Sequence, residues 1–181
     1  WIKNIMIIPG GILAIIIEER IIFQDYINLF LGILATCFIA SANYTINEYL
    51  DREFDHYHPI KSSRILVHKQ PSRVIISLQY FLFGSIGLMI LSTLHTMASI
   101  AGVCLLIMGL IYNVPPVRSK DVVFIDVLSE SINNPLRLII GWSSVTTIIF
   151  PPISLMISFW LGGAFLMAAK RYAEYRFIND S

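Results

Sequence analysis

Long apolar stretches alternate with short polar connections along the chain. Residues 26–47, 74–117 and 138–169 contain no Asp, Glu, Lys or Arg. Because a hydrocarbon core about 30 Å thick requires ~20 apolar residues per helix, each stretch is long enough to cross a membrane. The pattern predicts six helices, which are residues 4–18, 26–46, 74–94, 97–112, 122–142 and 151–169.

The composition agrees with an integral membrane protein. Of the 181 residues, 56% are hydrophobic and 14% are charged, whereas a soluble domain carries roughly a quarter of charged residues. This excludes a secreted disulfide scaffold, a disordered chain and an ordinary cytosolic enzyme. Cys37 and Cys104 lie inside apolar stretches, where we expect packing rather than a disulfide. The fold class predicted is all-α, a polytopic transmembrane helix bundle.

Basic residues concentrate in alternate connections between the predicted helices. The connections after the second and fourth helices and the C-terminal tail are rich in Lys and Arg, whereas residues 95–96 and 143–150 have none. Because Lys and Arg favour the cytoplasmic side, six crossings with both termini in the cytoplasm place 11 of the 13 basic residues there. Arg20 opposes the rule, and Arg137 lies within a predicted helix. No basic, aromatic-interleaved patch suggests a nucleic-acid partner, and no obligate protein partner is evident.

A polar stripe follows the second predicted helix out of the membrane. Asn43, Asn47, Asp51 and Asp55 recur every four residues, a step that drifts by only ~40° around a helix. Neighbouring carboxylates repel each other, and a bound Mg²⁺ would offset this repulsion. Mg²⁺ takes one or two carboxylates as ligands together with phosphate oxygens. The alternative is a solvated loop in which the acids pair with nearby basic residues.

The fifth predicted helix carries a second polar face on the same side of the membrane. Intramembrane charges are costly and usually face a bundle interior or an aqueous cavity. The alternative is a structural network in which Glu130 or Asp126 pairs with Arg137. The two polar faces converge at one mouth, where basic residues could clamp phosphate. The members of the second face are Asp126, Ser129, Glu130, Asn133, Asn134 and Arg137.

Four segments resemble motifs of the UbiA superfamily of intramembrane prenyltransferases. Residues 47–55 (NEYLDREFD) are similar to its N-D-x-x-D-x-x-x-D motif, with Glu48 in the place of an aspartate. Residues 58–64 (HPIKSSR) resemble H-P-x-K-x-x-R-P, and residues 112–120 (YNVPPVRSK) resemble Y-S-x-P-P-x-R-x-K. Residues 126–130 (DVLSE) fit the D-x-x-x-D spacing of the second aspartate-rich motif. The resemblance covers nearly the whole chain.

The resemblance implies a Mg²⁺-dependent transferase that moves a prenyl group from a polyprenyl diphosphate to an acceptor. The partners would be an isoprenoid lipid, a diphosphate-bearing donor and membrane lipids. Residues 1–181 would form a single membrane-embedded domain with about six of the nine helices usual in the family, continuing beyond the C-terminus. The implied catalytic residues are Asp51, Asp55 and Asp126, and the implied metal ligands are these three and Glu130. The implied substrate-binding residues are Asn47, Lys61, Arg64, Tyr112, Arg118, Lys120, Glu130 and Arg137.

Three other interpretations stay open. Residues 1–4 and 165–174 resemble segments of the decaprenyl-phosphate phosphoribosyltransferases, which transfer phosphoribose from its pyrophosphate donor to a polyprenyl phosphate. In that reaction Arg137 would grip the lipid phosphate. Lys170 and Arg171 would otherwise serve as ordinary topology signals. A transporter with a polar cavity, or an inactive relative with a structural role, belongs to a different class of protein.

Overall fold

The computed structural model describes residues 2–19, 22–57, 62, 71–146 and 148–179, and these residues form helices and no strand. A 3₁₀ turn at Ile2–Met6 precedes the first α-helix, and another at Ser119–Asp121 lies between the fourth and fifth. The α-helices are α1 (Ile7–Glu18), α2 (Phe23–Asp55), α3 (Arg73–Ser92), α4 (Thr96–Asn113), α5 (Ile125–Ser131), α6 (Asn133–Ser143) and α7 (Ile153–Asn179). The all-α helix bundle is therefore confirmed.

Each predicted apolar stretch is helical in the structure, but some of these helices are too short to cross a membrane. Within the described residues, four helices are long and apolar enough to cross a membrane, namely α2, α3, α4 and α7. The predicted continuation of the second helix through the polar stripe is confirmed, because α2 runs without a break for 33 residues to Asp55. The first stretch forms a helix of only 12 residues.

The prediction of one continuous fifth helix over residues 122–142 is wrong. The chain bends at Ile132, so α5 has 7 residues and α6 has 11. Pro135 lies in the first turn of α6 and has no N–H to donate to the carbonyl of Ser131. The Asn133 side chain also donates to the carbonyl oxygen of Glu130 at 3.1 Å, which competes with the regular helical pattern. The polar face is thus divided between two short helices.

Close helix crossings hold the bundle around α2. The buried core joins α2, α3, α4 and α6 through Ala35, Ile39, Leu91, Ala98, Ala101, Leu105 and Ile140. Helices α1 and α6 cross where Gly141 faces the backbone of Ile7, and a Cβ atom at position 141 would collide with the Ile7 carbonyl oxygen. Small residues at such crossings let two backbones approach each other within a membrane.

The Gly141→Ala substitution is expected to destabilise the protein by about 1–3 kcal/mol, because the added methyl group has no space against the α1 backbone. Thermal unfolding in detergent would measure the loss. Gly162→Ala in α7 is the matched control, since nothing lies within 4 Å of a Cβ atom there. Equal unfolding temperatures for both variants would contradict the tight crossing.

One end of the bundle collects the chemically active segments. The polar part of α2, the C-terminal ends of α4, α5 and α7, α6 and both 3₁₀ turns contribute side chains to one cavity there. We call this end the mouth. The antiparallel course of the long helices brings these segments together although they are distant in the sequence.

Candidate functional site

A cavity of about 540 Å³ opens at the mouth. Its lining follows α2 from Asp55 down to Thr36, a distance of roughly 28 Å at 1.5 Å per residue. The structure brings most of the predicted site residues into this lining. They are Asn47, Asp51, Asp55, Tyr112, Arg118, Lys120, Glu130 and Arg137.

Three predicted residues stand apart from this group. Asp126 is buried and does not line the cavity. It accepts a hydrogen bond from Arg171, which does line the cavity. Lys61 and Arg64 lie outside the described residues. Their predicted contacts with phosphate stay predictions.

The polar stripe of α2 faces the cavity along its whole length. Asn43, Asn47, Asp51 and Asp55 all contribute to the lining, as the four-residue spacing predicts. The Asn43 amide donates to the Leu105 carbonyl oxygen at 2.9 Å. Its Oδ1 atom is buried beside Gly109 of α4 and has no hydrogen-bond partner within the described residues.

Lys120 lies at the centre of a group of oxygen atoms. Its Nζ donates to Asp51 Oδ1 at 2.5 Å, to Asn113 Oδ1 at 3.1 Å and to Asn47 Oδ1 at 3.3 Å. We call these three oxygen atoms the oxygen cage. The 3₁₀ turn at Ser119–Asp121 directs the lysine inward, so only 9% of its side chain is exposed. Burial lowers the pKa of Lys120, and the hydrogen bond and charge of Asp51 offset part of this effect.

A second basic residue contacts the same carboxylate. Arg118 Nη2 lies 3.1 Å from Asp51 Oδ1, and Arg118 Nε lies 2.8 Å from the carboxylate of Asp121. The Arg118 guanidinium also lies over the Phe54 ring, 5.7 Å from its centroid. Arg118 therefore stands at the entrance with its charge directed at the first motif, where it could also reach a phosphate oxygen.

Arg171 connects the second motif to α7. Its Nε donates to Asp126 Oδ2 at 3.0 Å, its Nη1 to Glu174 Oε2 at 3.2 Å and its Nη2 to the Tyr112 hydroxyl at 3.3 Å. Neither Arg171 nor Glu174 is among the predicted site residues. The signal that points to them is the segment 165–174, which resembles a segment of the phosphoribosyltransferases.

The N-terminal turn provides the partners of the remaining predicted residues. Glu130 pairs with Lys3 at 2.6 Å. Arg137 donates through Nε to Asn4 Oδ1 at 3.0 Å and through Nη1 to the carbonyl oxygen of Asn133 at 3.2 Å. The structure shows no direct ion pair of Arg137 with Glu130 or Asp126, because Lys3 binds Glu130 and Arg171 binds Asp126.

Arg137 is consequently a buried cation whose hydrogen-bond partners are neutral, and the charge of Glu130 acts on it without a direct ion pair. Only 9% of its surface is exposed, and within the part of the chain that the structure describes no carboxylate forms an ion pair with it. A buried charge is costly unless it is paired. Since Arg137 lines the cavity, its guanidinium is available to an anionic group of a ligand.

The side chains at the mouth offer oxygen atoms that could hold the predicted Mg²⁺. Among the described residues, no three His, Cys, Asp or Glu side chains lie close enough to hold a metal ion together. Asp51, Asp126 and Glu130 are each paired with a basic side chain. The oxygen cage nevertheless gathers one carboxylate and two amide oxygens around a single positive charge, which fits a hard cation.

Comparison with known proteins gives one similar structure and one family. The fold matches the structure of a UbiA homolog from Archaeoglobus fulgidus bound to GPP and Mg²⁺, with a TM-score of 0.76 and 21% sequence identity. The match covers 97% of this chain and 64% of the Archaeoglobus protein. A search of curated proteins finds no significant match. Because the model of the UbiA prenyltransferase family matches residues 8–180, the chain belongs to the UbiA prenyltransferase family.

Proposed function

We propose that this protein is a membrane-embedded, Mg²⁺-dependent transferase that moves a prenyl group from a polyprenyl diphosphate to an acceptor. The observation that carries the proposal is the convergence of both polar motifs on one cavity, with Asp51, Lys120 and Arg118 in direct contact at its mouth. Membership of the UbiA prenyltransferase family supports it. So does the homolog of the same fold, which was bound to GPP and Mg²⁺.

Lys120 and Arg118 would bind the diphosphate of the donor. When the bond between the prenyl carbon and the diphosphate oxygen breaks, negative charge develops on the leaving diphosphate. Lys120 and Arg118 lie where they can donate to its oxygen atoms and stabilise that charge. Mg²⁺, when bound, would neutralise further charge on the diphosphate, and Asn47, Asp51 and Asp55 would hold it.

The apolar part of the cavity would receive the prenyl chain. Ile39, Ala40 and Leu105 line it below the carboxylates. An apolar wall excludes water, which would otherwise react with an electrophilic prenyl carbon. The depth of the cavity along α2 therefore suits a substrate with a charged head and a hydrocarbon tail.

The mouth is proposed to face the cytoplasm. The predicted topology places most basic residues on that side, and the mouth collects Lys3, Arg118, Lys120, Lys170 and Arg171. Labelling of a cysteine introduced at the exposed Val123, from either side of sealed vesicles, tests this orientation. Labelling from the extracytoplasmic side alone would reverse the assignment.

Phosphoribosyl transfer to a polyprenyl phosphate is a second candidate. The observation that favours it is the buried Arg137 guanidinium, which faces the cavity without a carboxylate partner in the described part of the chain. A lipid phosphate reaching this depth would supply the missing negative charge. The soluble diphosphate donor would then occupy the mouth.

An assay with both donor types tests the two candidates. Purified protein with Mg²⁺ would be incubated with radiolabelled polyprenyl diphosphate plus a panel of aromatic acceptors, and separately with labelled phosphoribosyl pyrophosphate plus polyprenyl phosphate. Prenylated product is the expected result. Label transfer from phosphoribosyl pyrophosphate alone would instead establish the second candidate. Transfer from neither donor, in a protein that is folded, would contradict both.

A further inference from the structure

The ammonium group of Lys120 lies among the oxygen atoms of Asp51, Asn47 and Asn113 at the first motif. We infer that Lys120 makes the oxygen cage selective for a cation that arrives together with a diphosphate, and closes it to the free cation. This inference rests on the proposed function, because it assumes that a diphosphate binds at the mouth. The carboxylate and amide groups of the first motif do not by themselves explain this selectivity.

The amide groups of the oxygen cage are oriented so that their oxygen atoms contact the cation. Asn113 is buried, and its Nδ2 donates to the Gly109 carbonyl oxygen at 2.8 Å. This hydrogen bond leaves Oδ1 as the atom that points at Lys120. Asn47 presents its Oδ1 to the same ammonium group. With Asp51, these atoms surround a positive charge with oxygen only, which is the preference of Mg²⁺.

A free divalent cation would have to displace Lys120 without offering it a new partner. Both cations bind the same Asp51 oxygen, so they would repel each other strongly at contact distance. The displaced ammonium group would lose its contact with Asp51, and Asp121, the other carboxylate that acts on Lys120, is already paired with Arg118, so the displacement is unfavourable. The cage therefore disfavours the cation alone.

A cation bound to diphosphate changes this balance. The phosphate oxygens offer Lys120 a charged acceptor immediately beside the cage, and the flexible lysine stem can swing towards it. The cation then enters the oxygen cage as the ammonium group leaves. Binding of the two ligands is thereby coupled, so each increases the affinity for the other.

Equilibrium dialysis of the whole chain in lipid nanodiscs tests the inference, with Mn²⁺ as the probe and protein-bound Mn²⁺ as the readout. For the wild type, we expect Mn²⁺ to bind about tenfold more tightly when methylenediphosphonate, a non-hydrolysable diphosphate, is present. Lys120→Gln should bind Mn²⁺ alone about tenfold more tightly than the wild type. Methylenediphosphonate should then add little.

Lys170→Gln is the matched control, because it removes a positive charge from the mouth but leaves the oxygen cage unchanged. The Lys170 side chain is 63% exposed and pairs with Glu174, so we expect its removal to leave the Mn²⁺ affinity unaltered. An equal gain in Lys170→Gln would overturn the inference, since the effect would then be general electrostatics. Thermal unfolding verifies each variant, and Lys120→Met replaces Lys120→Gln if the latter does not fold.

The outcomes separate this inference from the proposed function. If the wild type binds Mn²⁺ with methylenediphosphonate but Lys120→Gln holds Mn²⁺ alone no more tightly than the wild type, the inference is wrong and the proposed function stands. If the wild type binds neither probe, the diphosphate site itself is contradicted and both proposals fail.

Discussion

Replacing Asp51 with Asn is expected to reduce transferase activity by about 100-fold or more while the protein remains folded. The Asp51 carboxylate contacts both Lys120 and Arg118. A neutral amide of the same size would leave two positive charges without their shared partner and would remove the strongest oxygen ligand for Mg²⁺. Initial rates with saturating Mg²⁺ and polyprenyl diphosphate, together with the unfolding temperature, measure the effect.

Glu53→Gln is the control for this substitution because it removes an equal charge from the same helix. The Glu53 side chain is 81% exposed and pairs only weakly, at 3.4 Å, with Arg52. We expect near-normal activity from it. Chelation by EDTA should abolish activity in the parent and added Mg²⁺ should restore it. Full activity in the Asp51→Asn protein would show that the first motif is not the diphosphate site.

Replacing Arg137 with Lys is expected to raise the apparent KM for an anionic acceptor about tenfold and to leave the KM for the diphosphate donor nearly unchanged. The guanidinium donates from two different nitrogen atoms, to Asn4 and to the Asn133 carbonyl. A lysine offers a point charge in place of this planar fork, so it would lose the Asn4 contact and any bidentate grip on an anion.

Steady-state kinetics with each substrate varied in turn would test this expectation. Arg52→Lys is a suitable control, since Arg52 pairs with the exposed Glu53 and lies outside the cavity lining. A fall in unfolding temperature with both KM values unchanged would assign Arg137 a structural role. A selective defect with polyprenyl phosphate would favour phosphoribosyl transfer over prenyl transfer.

For the first motif, the spacing of polar residues along the chain was enough to predict the arrangement in the structure. A four-residue repeat places Asn43, Asn47, Asp51 and Asp55 on one face of any continuous helix, and no proline interrupts that helix before Pro59. The structure confirms the helix to Asp55 and the common face. This prediction depends only on backbone geometry, so neighbouring helices could not alter it.

For the second polar face, the spacing of polar residues along the chain was not enough to predict the helix or its ion pairs. Its residues were expected on one straight helix, with Arg137 close enough to pair with an acid of the same helix. Pro135 and the Asn133 side chain bend the chain at Ile132. The acids then found partners in other segments, namely Lys3 for Glu130 and Arg171 for Asp126.

The sequence by itself determined the four long apolar helices α2, α3, α4 and α7, the helical stripe of the first motif and the convergence of both motifs at one end. Hydropathy, periodicity and alternating crossings are properties of the chain alone. The tertiary structure decided which charge pairs with which. Lys3 and Arg171 reach the cavity, and Asn4 reaches Arg137, only because segments distant in sequence pack side by side. Such pairings depend on distances between segments that are far apart in sequence, and no spacing along the chain encodes them.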